Sequence, residues 1–160
     1  MADVPQNIDH FNRVVLGLLS LLYESFPRPR DIDGSAAIDI GFDAVPDDAT
    51  DEEAWNIGTM VEEVIPWLKE EGFLRYEPDP NHREGMYWKV RLTLKGLTIL
   101  GYVPSSLQQT GLEESLFQKA KKAITSATST AGKEAMEHVV AEIFKLALAH
   151  GTVIARSITL

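Results

Sequence analysis

The chain has 160 residues, a hydrophobic share of 44%, a charged share of 24% and a formal net charge of −9. These values suit one good core, or a small domain with a helical appendage, and exclude wholesale disorder. The absence of cysteine removes disulfides, thiolate metal sites and cysteine nucleophiles, and fits a reducing cytoplasm.

The start, MADVPQNIDHF, lacks the positive region, apolar run and cleavage site of a secretory signal, so a cytoplasmic, unprocessed chain is expected. The most apolar stretches, Val14 to Leu22 and Val139 to Ala149, fall short of the roughly 20 apolar residues that span a bilayer. In NIDHFNRVVLGLLSLLYESF, the steps of three and four between Ile8, Phe11, Val15, Leu18, Leu22 and Phe26 predict a helix that sits deep in the core. Pro27 and Pro29 end it. AAIDIGF, residues 36 to 42, alternates weakly and predicts a short edge strand.

Thr50 with Glu53 is a capping-box pair, predicting a helix from about Asp51 towards Glu71 whose buried side is Trp55, Met60, Val61, Val64, Ile65, Trp67 and Leu68. Gly58 and Pro66 predict a break near 56 to 58 and a kink at 66. After Gly72 the period changes to two. FLRYE and MYWKVRLT, joined through Pro78, Pro80, Asn81 and Gly85, predict a hairpin with Met86, Trp88, Val90 and Leu92 on one face and Tyr87, Lys89, Arg91 and Thr93 on the other. Thr93 then caps a short helix, LKGLTIL.

The last third predicts a helical hairpin. Thr110 and Glu113 are a second capping-box pair; Leu112, Leu116, Phe117, Ala120 and Ile124 form one stripe, and Met136, Val139, Val140, Ile143, Phe144 and Ala147 another. The small residues of TSATSTAG supply the turn between them. Burying both stripes needs the domain surface or another chain, from which a homodimer or a complex with a protein partner is expected.

Charge is segregated along the chain. Residues 31 to 71 hold thirteen Asp and Glu against Lys69 alone, whereas residues 75 to 95 hold Arg75, Arg83, Lys89, Arg91 and Lys95 against Glu77, Asp79 and Glu84. No G-x-S-x-G elbow, phosphate loop or dinucleotide-binding turn occurs. His138 stands four residues from both Glu134 and Glu142, a spacing that suits a surface charge pair better than a metal. The expectation is no enzyme, cofactor or metal.

The order of elements, with IPWLKEEGFLRY leading into one strand and VRLTLKGLTIL leading out of the next, resembles a winged helix-turn-helix domain of bacterial regulators over about residues 7 to 102. GYVPSSL and the small-residue helical tail resemble uncharacterised small bacterial proteins. The expected class is α+β: a winged-helix domain over 1–104, a helical hairpin over 108–150 and a tail over 151–160. The resemblance implies that Thr59 to Glu71 is the recognition helix and that residues 78 to 85 are the wing. Yet Glu62, Glu63, Glu70 and Glu71 would repel phosphates, which disfavours groove reading by that helix.

Arg75, His82, Arg83, Lys89 and Arg91 are therefore the candidate nucleic-acid contacts. Tyr76, Tyr87, Glu62 and Glu63 are the candidate partner contacts. The expected function is a non-enzymatic regulatory or adaptor protein whose acidic winged helix binds another protein; the alternative is a transcriptional regulator that touches DNA mainly through its wing.

Overall fold

The computed structural model describes residues 4–34, 46–101, 114–125 and 130–158. In it the first apolar stripe forms α1, Gln6–Ser25, and every residue from Asn12 to Leu22 is buried. Leucine and valine occur around the whole circumference of this helix, so one neighbour could not cover it. Its cover comes from β3 (Met86–Leu92), α2 (Asp51–Glu70), α3 (Leu94–Leu100) and two C-terminal helices, α4 (Leu116–Thr125) and α5 (Thr130–Ile158). Ile8 and Phe26, at the two ends of the predicted stripe, lie at the surface.

The sheet is three-stranded and antiparallel, in the order β1-β3-β2, with β1 at Arg30–Asp33 and β2 at Leu74–Pro78. The class is therefore α+β, with five helices and one sheet among the described residues. β1 lies where the prolines predicted only a helix stop: Arg30 pairs with Val90 and Ile32 with Tyr87, so pairing with β3 decides the conformation. The strand expected over 36 to 42 falls outside the described residues.

The capping box forms as predicted. Thr50 Oγ1 accepts from the Glu53 N–H at 3.2 Å, and Glu53 Oε2 accepts from the Thr50 N–H at 3.3 Å. The predicted break near 56 to 58 is absent, and α2 continues through Gly58 and Pro66. Two features carry it past the proline. Ile57, Val61, Val64, Ile65 and Leu68 are buried on one side of the helix, which outweighs a glycine penalty of about 1 kcal/mol. Proline at 66 also leaves the Glu62 carbonyl without its helical donor, and the Tyr87 hydroxyl donates to that oxygen at 2.8 Å. Trp55, expected on the buried side, is 68% exposed.

The hairpin forms with an extra residue. Arg30↔Val90 and Ile32↔Tyr87 on one side of β3, and Arg75↔Arg91 and Glu77↔Trp88 on the other, leave β3 one residue longer than both neighbours around Lys89. Lys89 has a φ of 52°, and its N–H, turned out of the ladder, is taken by Asp31 Oδ1 at 2.9 Å. The bulge interrupts the predicted alternation. Val90 and Leu92 face the core beyond it, whereas Tyr87 rather than Trp88 packs against the core before it. Trp88 is only half-buried and lies outside the core cluster.

Thr93 closes the hairpin. Its hydroxyl donates to the Gly72 carbonyl at 2.6 Å and accepts from the Gly96 N–H at 3.1 Å, which starts α3. Gly96 lies so close to the Phe73 carbonyl that a side chain there would displace backbone. α4 begins after Ser115, whose hydroxyl and Gln118 form a capping box, while the predicted Thr110 cap lies outside the described residues. α5 continues to Ile158, through most of the segment expected as a tail.

Leu116, Ala120, Ala123, Met136, Val139, Val140, Ile143 and Ala147 join the same core cluster as α1. The described residues of both stripes thus pack into the chain's own core, with Phe117, Ile124 and Phe144 partly buried.

The relation between Tyr87 and Pro66 is open to a double-mutant cycle in urea unfolding. Tyr87→Phe is expected to destabilise by about 0.5–1.5 kcal/mol. In a Pro66→Ala background, where residue 66 regains an N–H for the Glu62 carbonyl, most of that loss should disappear. Equal losses in both backgrounds would show that the hydroxyl does not substitute for the proline's missing donor.

Candidate functional site

The C-terminal helices leave the outer face of α2 open. This helix packs on α1 and β2, and its exposed positions are Asp51, Glu52, Trp55, Thr59, Glu62, Glu63, Lys69 and Glu70. Trp55, Thr59, Glu62 and Glu63 share one side at steps of three, four and seven. No ion pair among the described residues engages Glu52, Glu62, Glu63 or Glu70. The face is therefore a strip rich in carboxylates that no described residue pairs, with one large aromatic on it.

The two predicted partner carboxylates differ. Glu62 also serves the fold: a side chain at Gly34 or Gly85 would collide with it, and these glycines are joined by the Gly34 N–H donating to the Gly85 carbonyl at 2.7 Å. Glu63 has no such role. It lines an open cleft of about 330 Å3 with Gln6, Asn7, His10, Asn56, Thr59 and Met60, formed between the first turns of α1 and the middle of α2.

Tyr76 and Tyr87 are half-buried against the core. Their rings meet edge to face at 5.1 Å, and the Lys69 ammonium lies 4.3 Å from the centre of the Tyr76 ring. Burial pushes both phenols above their ordinary pKa; Glu70 adds to this at Tyr76, and Tyr76 and Glu62 add to it at Tyr87. Both phenols stay neutral and occupied with α2.

Three of the five predicted basic residues meet on the solvent face of the sheet. Arg75, Lys89 and Arg91, with Pro29, Tyr76 and Glu77, line a cavity of about 280 Å3. Arg75 and Arg91 stand directly opposite each other on β2 and β3, and neither joins an ion pair with a described residue. Like charges in this register repel, so the pair favours an anion from outside. Lys89 is 3.6 Å from Glu77 and is partly neutralised.

The other two predicted basic residues are on the loop between the strands. His82 is exposed, has a φ of 52°, and donates its N–H to the Asp79 carbonyl. Arg83 is tied back to the loop, although its side chain is about half exposed. Its Nε and Nη2 donate to Asp79 at 2.8 and 3.3 Å, and its backbone N–H donates to the same carboxylate at 3.0 Å. This fork makes Arg83 a loop brace more than a free contact. The Arg83 side chain holds the Asp79 carboxyl down to about 2, against a smaller opposing effect of burial.

Sequence reasoning missed the exposure of Trp55, because its helical position matched the buried stripe. It also missed the buried polar start of α1, where Arg13 Nε donates to Asp9 Oδ2 at 3.0 Å; such a pair four residues apart reads as surface. Around His138, Glu142 turns to Lys119 across the helical hairpin at 3.6 Å. Among the described residues no group of three His, Asp or Glu side chains gathers as a metal site, and no helix is long and apolar enough to cross a membrane. No protein-family model, curated protein or solved structure matches the chain.

The Asp79 fork carries a pH signature. Its carboxyl has a lower pKa folded than unfolded, so it contributes stability that is present above about pH 4 and lost as pH falls towards 2. Urea midpoints measured between pH 5 and 2 should fall less steeply for Asp79→Asn than for the native chain. Identical slopes would show that the fork contributes nothing to folding.

Proposed function

We propose that the protein is a non-enzymatic adaptor or regulatory protein of the winged-helix type, which binds a basic protein partner through the outer face of α2. The sheet order β1-β3-β2, with the β2–β3 hairpin beyond α2, supports the winged-helix reading. The observation that carries the function is the open acidic face of α2 with Trp55 exposed upon it. In the place where a groove reader needs cations, carboxylates attract lysine and arginine and steer a basic partner in. An exposed tryptophan within such a face supplies the apolar anchor that interfaces favour. The cleft ending on Glu63 adds room for one long basic side chain. Because the helical hairpin is covered within the chain, the partner in this reading is a different protein.

A second reading has its own observation. Arg75 and Arg91, which pair with no described residue, favour contact with a phosphate backbone together with Lys89 beside them, as expected of a regulator that touches DNA through its wing. Arg83, occupied by Asp79, contributes less to it.

A photoreactive phenylalanine analogue at position 55 separates the two readings. It should crosslink the chain to a basic protein in cells of its source, and Trp55→Ala with Glu63→Lys should weaken binding of the identified protein by about ten-fold or more, as loss of a central anchor does. The native chain should not retain duplex DNA at low salt. Salt-sensitive DNA retention abolished by Arg75→Ala with Arg91→Ala, together with no crosslink at 55, would replace the adaptor reading with the second.

A further inference from the structure

We propose that the chain has a small-molecule site for a planar aromatic carboxylic acid, at the junction of α1, α2, α3 and α5. Four rings from four parts of the chain meet there: Phe11 of α1, Trp67 of α2, Phe73 before β2 and Phe144 of α5. Phe11 and Trp67 are 5.4 Å apart edge to face, Trp67 and Phe144 5.5 Å, and Phe73 and Phe144 5.9 Å. Phe11 and Phe144 are 6.2 Å apart, so the four rings touch one another along one apolar wall. Beside them, Ala147 and the exposed Leu148 complete an open surface groove of about 320 Å3, with Lys95 and Glu71 at its edge.

Ring surface facing water in such a groove is covered by a flat apolar guest, which removes apolar area from water and gains dispersion contacts with the walls. Its volume and lining, mostly apolar with one or two polar groups, match the usual small-molecule pocket. Edge-to-face rings leave faces and edges that accept a further flat ring.

Lys95 determines the polar end of the guest. Its Nζ donates to the Glu71 carbonyl at 2.9 Å and lies 5.3 Å from the centre of the Phe73 ring. An ammonium has three donors, and no carboxylate of a described residue is within ion-pair distance of this one. A ligand carboxylate at the edge of the groove supplies the missing counter-charge, in a setting where apolar walls strengthen the interaction. The site depends neither on the face of α2 nor on the sheet arginines, so it stands or falls apart from the adaptor reading.

Calorimetric titration of the full chain with benzoate and 2-naphthoate, and with 2-naphthalenemethanol as the uncharged counterpart, tests the site. At least one acid should bind saturably at one per chain and raise the thermal midpoint. Lys95→Met, which keeps the stem over Phe73, should weaken the acid by about ten-fold or more while sparing the alcohol. Ala147→Phe should fill the groove and abolish both, with the circular dichroism spectrum unchanged. The proposal is overturned if neither acid binds saturably at millimolar concentration. It is equally overturned if a folded Lys95→Met chain binds acid as tightly as the native one.

Discussion

The architecture depends on one requirement: α1 has almost no polar face, and all of its circumference has to be taken out of water. Leu16, Leu18, Leu19 and Leu22 are essentially inaccessible, and they point in different directions around the axis. A sheet and one helix cover two sides of such an element. The remaining sides are closed by α4 and α5, whose apolar stripes would otherwise be as exposed as α1 itself. The C-terminal helices are thus part of the core, and their presence leaves the outer side of α2 free.

That freedom gives the surface its division of charge. Carboxylates gather on the open side of α2, and arginines gather on the solvent side of the sheet. Tyr87 lies between these two regions and ties them together, with its hydroxyl on the Glu62 carbonyl and its backbone in β3. The bulge at Lys89 makes this arrangement available. One extra residue in β3 lets Tyr87 turn to α2 while Val90 and Leu92 still face the core.

Much of this was legible in the chain itself. The helix over α1, the Thr50–Glu53 cap, the hairpin from Leu74 to Leu92 and the Thr93 cap all rest on local chemistry, which a run of residues carries with it. Charge segregation was legible for the same reason. What escaped were features set by a distant partner. Arg30–Asp33 became a strand because β3 offered it a ladder, Pro66 stayed helical because Tyr87 supplied a donor, and Trp55 turned outward because no described element covers that side of α2. Arg83 looked like a free cation until the fold of its loop brought Asp79 against it.

The sequence by itself determined the helix and hairpin pattern, the need for a large apolar core and the opposing charges of residues 31 to 71 and 75 to 95, because each follows from residue type and spacing. Only the tertiary structure decided which charges are spent and which are open. It paired Arg83, opposed Arg75 to Arg91 with no counter-ion among the described residues, left the acids of α2 facing water and brought four separate rings together at one groove. Such outcomes depend on strand register and helix packing, which bring together residues too far apart in the chain for local periodicity to relate them.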